Sequence, residues 1–222
     1  MTAGGRDSIR VVSDGEKRLA AEAAAELVED GMRVGLGTGS TVAFLLPALA
    51  RRGLDLRCVA TSPATERAAK ELGLRVEPFD TLDRLDVAID GADQIAPDGW
   101  IVKGGGAAHT REKVVAASSD RFVVIASSDK VVETIAPPIP LELLPYGLDA
   151  TLARLGEVEL RNVPPSPDGG VIADYLGPVE DPAAVAAWLS ATAGVVDHGF
   201  FPPELTSDVL VGRGDEVERL AR

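Results

Sequence analysis

A single cysteine, Cys58, occurs in 222 residues, so a disulfide framework and any metal cage built from cysteines alone are excluded. No apolar run approaches the ~18 residues that a membrane-spanning helix needs. The opening stretch, MTAGGRDSIRVVSDGEKR, lacks the long apolar segment of a secretory signal. A soluble, cytoplasmic protein is expected. Low-complexity tracts and internal repeats are also missing, which argues against bulk disorder, solenoids and propellers. Positive charge is scarce: 22 Lys and Arg stand against 35 Asp and Glu, a net charge of −13. A field of that sign repels nucleic acid and anionic membranes, so neither is an expected partner. A small anionic substrate stays compatible with it where a few cations converge. Lysine is especially rare, occurring only at positions 17, 70, 103, 113 and 130.

What is present is an ordinary apolar share, 45%, enough for a sizeable core in one large domain or a medium domain with a smaller companion. Residues 14–30 carry Leu19, Ala23 and Leu27 at helical spacing and predict an amphipathic helix. An apolar stretch at 33–35 runs into the glycine-rich turn 35–41, and VAFLLPALARR then reads as a helix that Pro47 should kink or break. LRCVATS predicts a strand and PATERAAKELG a helix, with Pro63 in its first turn and Gly73 near its C-terminus. RVEPFD, LDVAID and WIVKGG are short strand candidates, 107–119 a helix, and FVVIAS a buried strand. Strands alternating with helices at this pitch indicate an α/β domain with a mostly parallel, doubly covered sheet. The rhythm changes near Ile135, where proline-rich APPIPLELLPYG precedes the strands EVELRN and GVIADYL, the helix-like DPAAVAAWLSATAG, and GVVDHGFF. That predicts a small α+β domain over 138–203. SDVLVGRGDEVERL reads as a strand and a short helix returning to the first sheet, so the first domain is expected to comprise 1–137 and 204–222.

Three segments carry chemistry-bearing residues. Gly35-Leu36-Gly37-Thr38-Gly39-Ser40-Thr41 lies between a strand and a helix, where glycines admit close backbone approach and a helix N-terminus favours an anion. A dinucleotide fingerprint would need glycine at position 40, and no Gly-Lys-Ser/Thr of a P-loop follows. The turn therefore suits one phosphate rather than a nucleotide, against the plainer reading of a tight turn. Asp90-Gly91-Ala92-Asp93 follows the strand 87–89, at the strand end where open α/β sheets bind ligands. The plainer reading is an Asx turn, and a metal is the less favoured use of the pair. In Lys103-Gly104-Gly105-Gly106-Ala107-Ala108-His109-Thr110-Arg111-Glu112-Lys113, a lysine leaves a strand, three glycines follow, and Glu112 sits early on a helix. A carboxylate held partly dry beside a substrate acts as a general base; taken alone, Glu112 reads as a surface helix charge. His109 reads as a first-turn helix residue and Cys58 as a buried strand residue, and His198 has no assigned role.

GLGTGST, TSPATE, DVAIDGAD, KGGGAAHTREK and SSDK occur here in the order seen in type A ribose-5-phosphate isomerases. The resemblance covers most of the chain and is strongest over 34–130. It implies a Rossmann-like α/β domain with a smaller α+β (ferredoxin-like) domain, and an aldose–ketose isomerase that interconverts ribose 5-phosphate and ribulose 5-phosphate with no metal or organic cofactor. Matched position by position, Glu112 corresponds to the base moving a proton between C1 and C2. Asp90 and Asp93 correspond to the acidic pair handling substrate oxygens, and Lys103 to the cation stabilising the enediolate. Thr38, Gly39, Ser40 and Thr41 correspond to the substrate-contacting turn, and Lys17 and Lys130 to lysines near the anionic end. A homo-oligomer, most simply a dimer, is also implied.

The sequence departs from the family at Gln94, where glutamate is usual, at His109, where an apolar residue is commoner, and in a shorter TSPATE turn; the stretch 146–203 matches loosely. These departures leave a related isomerase acting on another phosphorylated sugar as the alternative. A non-catalytic sugar-phosphate sensor is a lesser one: about a dozen residues precede the first expected helix, no basic recognition helix is visible, and a sensor has no need of Glu112 and Lys103 together. An acyl- or CoA-transferase-like relative with Glu112 as nucleophile is disfavoured by chain length.

Overall fold

The computed structural model describes residues 3–220, with side chains over 13–220. In chain order its elements are α1 (Ala3–Ala25), β1 (Arg33–Leu36), α2 (Val42–Arg52), β2 (Arg57–Ala60), α3 (Pro63–Glu71), β3 (Val87–Asp90), β4 (Gln94–Ile95), β5 (Ile101–Val102), α4 (His109–Ala117) and β6 (Phe122–Ser127). They continue with β7 (Ile139–Leu143), α5 (Leu148–Leu155), β8 (Val158–Leu160), β9 (Val171–Tyr175), α6 (Pro182–Ala191), β10 (Val195–His198), β11 (Phe200–Phe201), β12 (Asp208–Arg213) and β13 (Glu216–Leu220). None of the described helices is long and apolar enough to cross a membrane. Two units emerge: the described parts of Met1–Gly91, Val115–Val131 and Glu204–Arg222 form the first, and Ala92–Val114 with Val132–Pro203 the second.

The first unit is built on a six-stranded sheet in the order β13-β12-β6-β3-β1-β2. All neighbours run parallel except the β12–β13 hairpin. β3 and β6 are buried along their whole length, which is why Val87–Ile89 and Phe122–Ala126 are continuously rather than alternately apolar. Val34, Leu36, Ile89, Val123 and Ile125 pack with Leu45 and Leu49 of α2 and Ala20, Ala21 and Ala24 of α1 in one core cluster. Each large side chain buried there contributes about 1.5–3 kcal/mol. Strand order reverses between β1 and β3, so the crevice beyond their carboxyl ends is the topological switch point of the sheet.

Several sequence expectations change here. α1 begins at Ala3, well before the expected Asp14, and ends at Ala25. The apolar spacing continues to Val28, but Leu27 and Val28 donate to Ala24 and Ala25, a tighter turn that closes the helix. α2 runs unbroken through Pro47, because Leu45, Leu46, Ala48 and Leu49 bury on both sides of it, and ends at Gly53 with φ 63°. α3 starts as expected, with Pro63 in its first turn and Ser62 Oγ accepting from Thr65 N at 3.2 Å. RVEPFD forms no strand beyond one bridge between Val76 and Cys58, since Pro78 has no N–H to continue a ladder. The helix expected near 215–220 is instead β13. Gly214, with φ 59°, turns the chain back, and Val217 packs toward the core while Glu216 and Glu218 face solvent.

The second unit contains β7-α5-β8-β9-α6-β10 folded into a four-stranded antiparallel sheet of order β10-β7-β9-β8. This is the split βαβ, ferredoxin-like topology. Ile139, Leu141 and Leu143 of β7 share a core cluster with Leu155 of α5 and Leu189 of α6. Asp181 caps α6 by accepting from Ala183 N and Ala184 N at 2.9 and 3.2 Å, with Pro182 at the first helical position. A second small sheet, β11-β5-β4, explains why 92–114 groups with this unit although the sequence placed it in the first domain. β5 pairs with β11 through Val102 and Phe200. The Gln94 amide also donates to Ala136 O at 2.7 Å and accepts from Ala136 N at 2.9 Å.

Candidate active site

In the first unit, the chain leaves β1 through Gly37 while β3 ends on Asp90. The buried Asp90 carboxylate accepts from Thr38 N at 3.0 Å and from Gly91 N at 2.7 Å, both through Oδ1. Glycine at position 37 is a steric requirement: a Cβ there would lie 1.9 Å from the Asp90 carboxyl carbon. A second set of bonds braces the turn from the β2–α3 connection and the first turn of α3. Thr65 Oγ1 donates to Gly37 O at 2.9 Å, and the Thr38 and Thr61 hydroxyls lie 2.8 Å apart. Gly39 adopts φ 116°, Ser40 is exposed, and Thr41 stands at the start of α2 with no capping bond from its side chain. The leading N–H groups of an eleven-residue helix are thus presented by a small-residue turn, an arrangement that favours an anion.

Lys17 and Lys130 are engaged with nearby acids rather than with that turn. Lys17 Nζ is 3.4 Å from Asp14, and Lys130 Nζ is 3.4 Å from Asp129. Glu16 brings their neighbourhoods together. Its buried carboxylate accepts from Ser128 N at 2.9 Å, Ser128 Oγ at 2.8 Å and Gly214 N at 2.9 Å. Burial raises its acidity constant's pKa, but these three donors outweigh burial and hold it below the usual carboxylate value.

In the second unit, β5 delivers Lys103 and α4 delivers Glu112. Both side chains are only 3% exposed, and Lys103 Nζ lies 3.0 Å from Glu112 Oε2. Lys103 N donates to Gly199 O at 2.9 Å, which anchors the strand end. Asp93 accepts from Gly105 N at 2.7 Å through Oδ2, so it braces the glycine turn that follows Lys103. Lys113, one residue beyond Glu112, is bonded to the Asp197 carboxylate at 2.5 Å and to His198 O at 2.6 Å. Both ammonium groups face the buried Phe201 ring, at 5.5 Å for Lys103 and 5.2 Å for Lys113 from its centroid. Burial pushes the Lys113 ammonium below its ordinary value and the Asp197 carboxyl above its own.

His109 opens α4 as a buried residue, in keeping with its first-turn reading, and His198 is buried at the end of β10. Burial, then the positive charge of Lys113, depresses both imidazoles to about 3. Both therefore stay neutral in the folded protein where the unfolded chain protonates. Their stabilising contribution is fully present above pH ~6.5 and is lost as pH falls toward about 3. Urea-unfolding midpoints should fall steadily from pH 7 to 5, by up to about 1.4 kcal/mol per pH unit for each histidine. A midpoint that stays flat over that interval sinks this expectation.

Among the described residues, no group of three or more His, Cys, Asp or Glu is placed to hold a metal ion. Asp90 bonds the backbone of its own turn through Gly91 N, whereas Asp93 reaches across to the glycine turn at Gly105 N.

The sequence signature described as ribose 5-phosphate isomerase A (phosphoriboisomerase A) matches residues 57–216. The chain belongs to the ribose 5-phosphate isomerase A family. A ribose-5-phosphate isomerase A of Caulobacter vibrioides is 45% identical, over 94% of this chain and 98% of that protein. The crystal structure of ribose 5 phosphate isomerase A from Neisseria gonorrhoeae superposes with a TM-score of 0.89 at 30% identity, covering 94% of this chain and 96% of that one. A D-ribose-5-phosphate isomerase in complex with phospho-erythronic acid gives 0.87 at 32% identity, covering 93% and 97%.

The isomerase family motifs identified the residues at the turns but not those that hold them. Thr61 and Thr65 fall within the TSPATE motif, but Glu16, Arg161 and Asp197 carry no such mark, because each acts on a segment distant in sequence. The departure at Gln94 has a physical reason in this isomerase: only an amide both donates to and accepts from the Ala136 backbone, whereas a carboxylate would only accept.

Proposed function

We propose that this protein interconverts D-ribose 5-phosphate and D-ribulose 5-phosphate through an enediolate, as an aldose–ketose isomerase of the non-oxidative pentose phosphate pathway, with no cofactor. The observation that carries this reading is the buried Lys103–Glu112 pair at 3.0 Å. Isomerisation removes a weakly acidic C–H proton and creates an oxyanion, so it needs a base and a cation within one dry environment. Glu112 takes the proton from C2 of the aldose and returns it to C1. Lys103 stabilises the oxyanion as it forms. Asp90 and Asp93 handle the substrate oxygens, including ring opening. The 38–41 turn, with Lys17 and Lys130 as further cations, engages the phosphate.

Support for a sugar-phosphate substrate comes from the solved relative in complex with phospho-erythronic acid, a four-carbon phosphorylated acid. The proposal extends to a cytoplasmic homo-oligomer, most simply a homodimer. Incubation with ribose 5-phosphate in D₂O, followed by NMR, tests the chemistry. Deuterium should enter C1 of the ketose product. Saturable binding with neither exchange nor ketose formation would overturn the reading.

A further inference from the structure

We propose that Arg161 is a positioning residue for the isomerase reaction, fixing the Gly104 carbonyl and through it the turn that seats Lys103 and Glu112. The inference rests on the isomerase reading above. Arg161 follows β8 in the four-stranded sheet, far in sequence from the glycine turn. Its guanidinium is oriented by Asp174 of β9 through two parallel bonds, Nε to Oδ2 at 2.7 Å and Nη2 to Oδ1 at 2.6 Å. The remaining nitrogen, Nη1, donates to Gly104 O at 2.8 Å and approaches Gly105 O at 3.4 Å. The side chain is 19% exposed and Asp174 is 18% exposed, so the pair is no loose surface contact.

The turn it grips is one that needs holding. Gly104 has φ 112°, and Ala107 has φ 59°, the one non-glycine residue with positive φ among the described residues. Three successive glycines leave the free chain with unusually many conformations, and a strained alanine adds a cost that the surroundings must offset. Gly104 O accepts from Ala107 N at 3.0 Å as well as from Arg161, so both of its lone pairs are occupied. Asp93 holds the next peptide through Gly105 N, and Gly199 O holds Lys103 N. Arg161 thus grips the turn by its carbonyls, where Asp93 and Gly199 hold it by its N–H groups. The peptide it fixes begins one residue after Lys103, and the turn ends where α4 begins, three residues before Glu112. Lysine cannot replace it, because a single ammonium lacks the planar fork that engages Asp174 and Gly104 together.

The test compares wild type with Arg161→Ala, Arg161→Lys and the double variant Arg161→Ala/Asp174→Ala, which avoids leaving Asp174 without its cation. Each is assayed for steady-state turnover, for deuterium uptake per turnover in D₂O, and for thermal midpoint. A misplacement of ~1 Å at a reacting pair costs on the order of 10²-fold, so kcat should fall about 10- to 100-fold with KM within about threefold. Arg161→Lys should do no better than Arg161→Ala. A loosened turn should admit water, raising the share of solvent deuterium in the product. Millimolar guanidinium ion should restore part of the rate to Arg161→Ala, which a purely structural defect would not allow. The proposal is overturned by variants that turn over at the wild-type rate, or by losses that follow the folded fraction with exchange unchanged and no guanidinium response. A folded wild type that fails to isomerise ribose 5-phosphate overturns the isomerase reading and this inference with it.

Discussion

Glu112→Gln should lower kcat on ribose 5-phosphate by about 10²–10⁴-fold, the range typical for loss of a general base. The substitution keeps shape and helix-forming tendency but removes the group that accepts the carbon-bound proton. Glu112 is 3% exposed beside Lys103, so bulk water has poor access to replace it. Ground-state affinity should change little, because the amide oxygen can still accept from Lys103. Two readouts check this: steady-state kinetics, and deuterium incorporation at ketose C1, which should vanish along with turnover. A variant keeping more than about a tenth of the wild-type rate would place the base elsewhere, given that range.

Lys103→Met should damage both stability and catalysis. Its ammonium is the cation 3.0 Å from the Glu112 carboxylate, and the same group faces the Phe201 ring. Removing one partner of a buried ion pair typically costs about 3–5 kcal/mol, much of it the penalty on the charge left behind. Loss of a group that stabilises a developing oxyanion costs a further ~10²–10³-fold in turnover. These two effects separate in the double variant Lys103→Met/Glu112→Gln, which removes the stranded carboxylate. Its urea midpoint should lie above that of Lys103→Met, while activity stays absent. If the single variant is as stable as wild type, the pair is not the buried ion pair that its geometry indicates.

Which parts of this were legible in the sequence follows from the range of the forces involved. The parallel sheet was legible because short apolar strand segments alternate with helical ones along the first half of the chain. The prolines and the change of rhythm near Ile135 mark a segment that falls in the second unit, but nothing local in 92–114 signals that it groups there too. β13 was not legible, since Glu216–Leu220 carries too few apolar residues to separate a hairpin edge from a short helix, and the decision rests on its pairing with β12. Nor was β4, whose two residues gain their identity only by pairing with β5. At the site, the glycine turn after Lys103 is a local feature, whereas Glu112 alone reads as a surface helix charge and stands out only through the family resemblance. Their contact at 3.0 Å, and the grip of Arg161 on Gly104, are products of tertiary folding with no signature in neighbouring residues.

The position of β12 has a consequence for how the nascent protein is made. β12 lies between β6 and β13 and pairs with β6 along Asp208–Gly212, yet residues 132–203 must be translated between those two strands. At about 5–20 residues per second that is several seconds during which FVVIAS shows an unpaired, almost wholly apolar edge. Ribosome-associated chaperones would find their natural target there, and slowing translation between Lys130 and Ser207 should raise the fraction of newly made protein that aggregates.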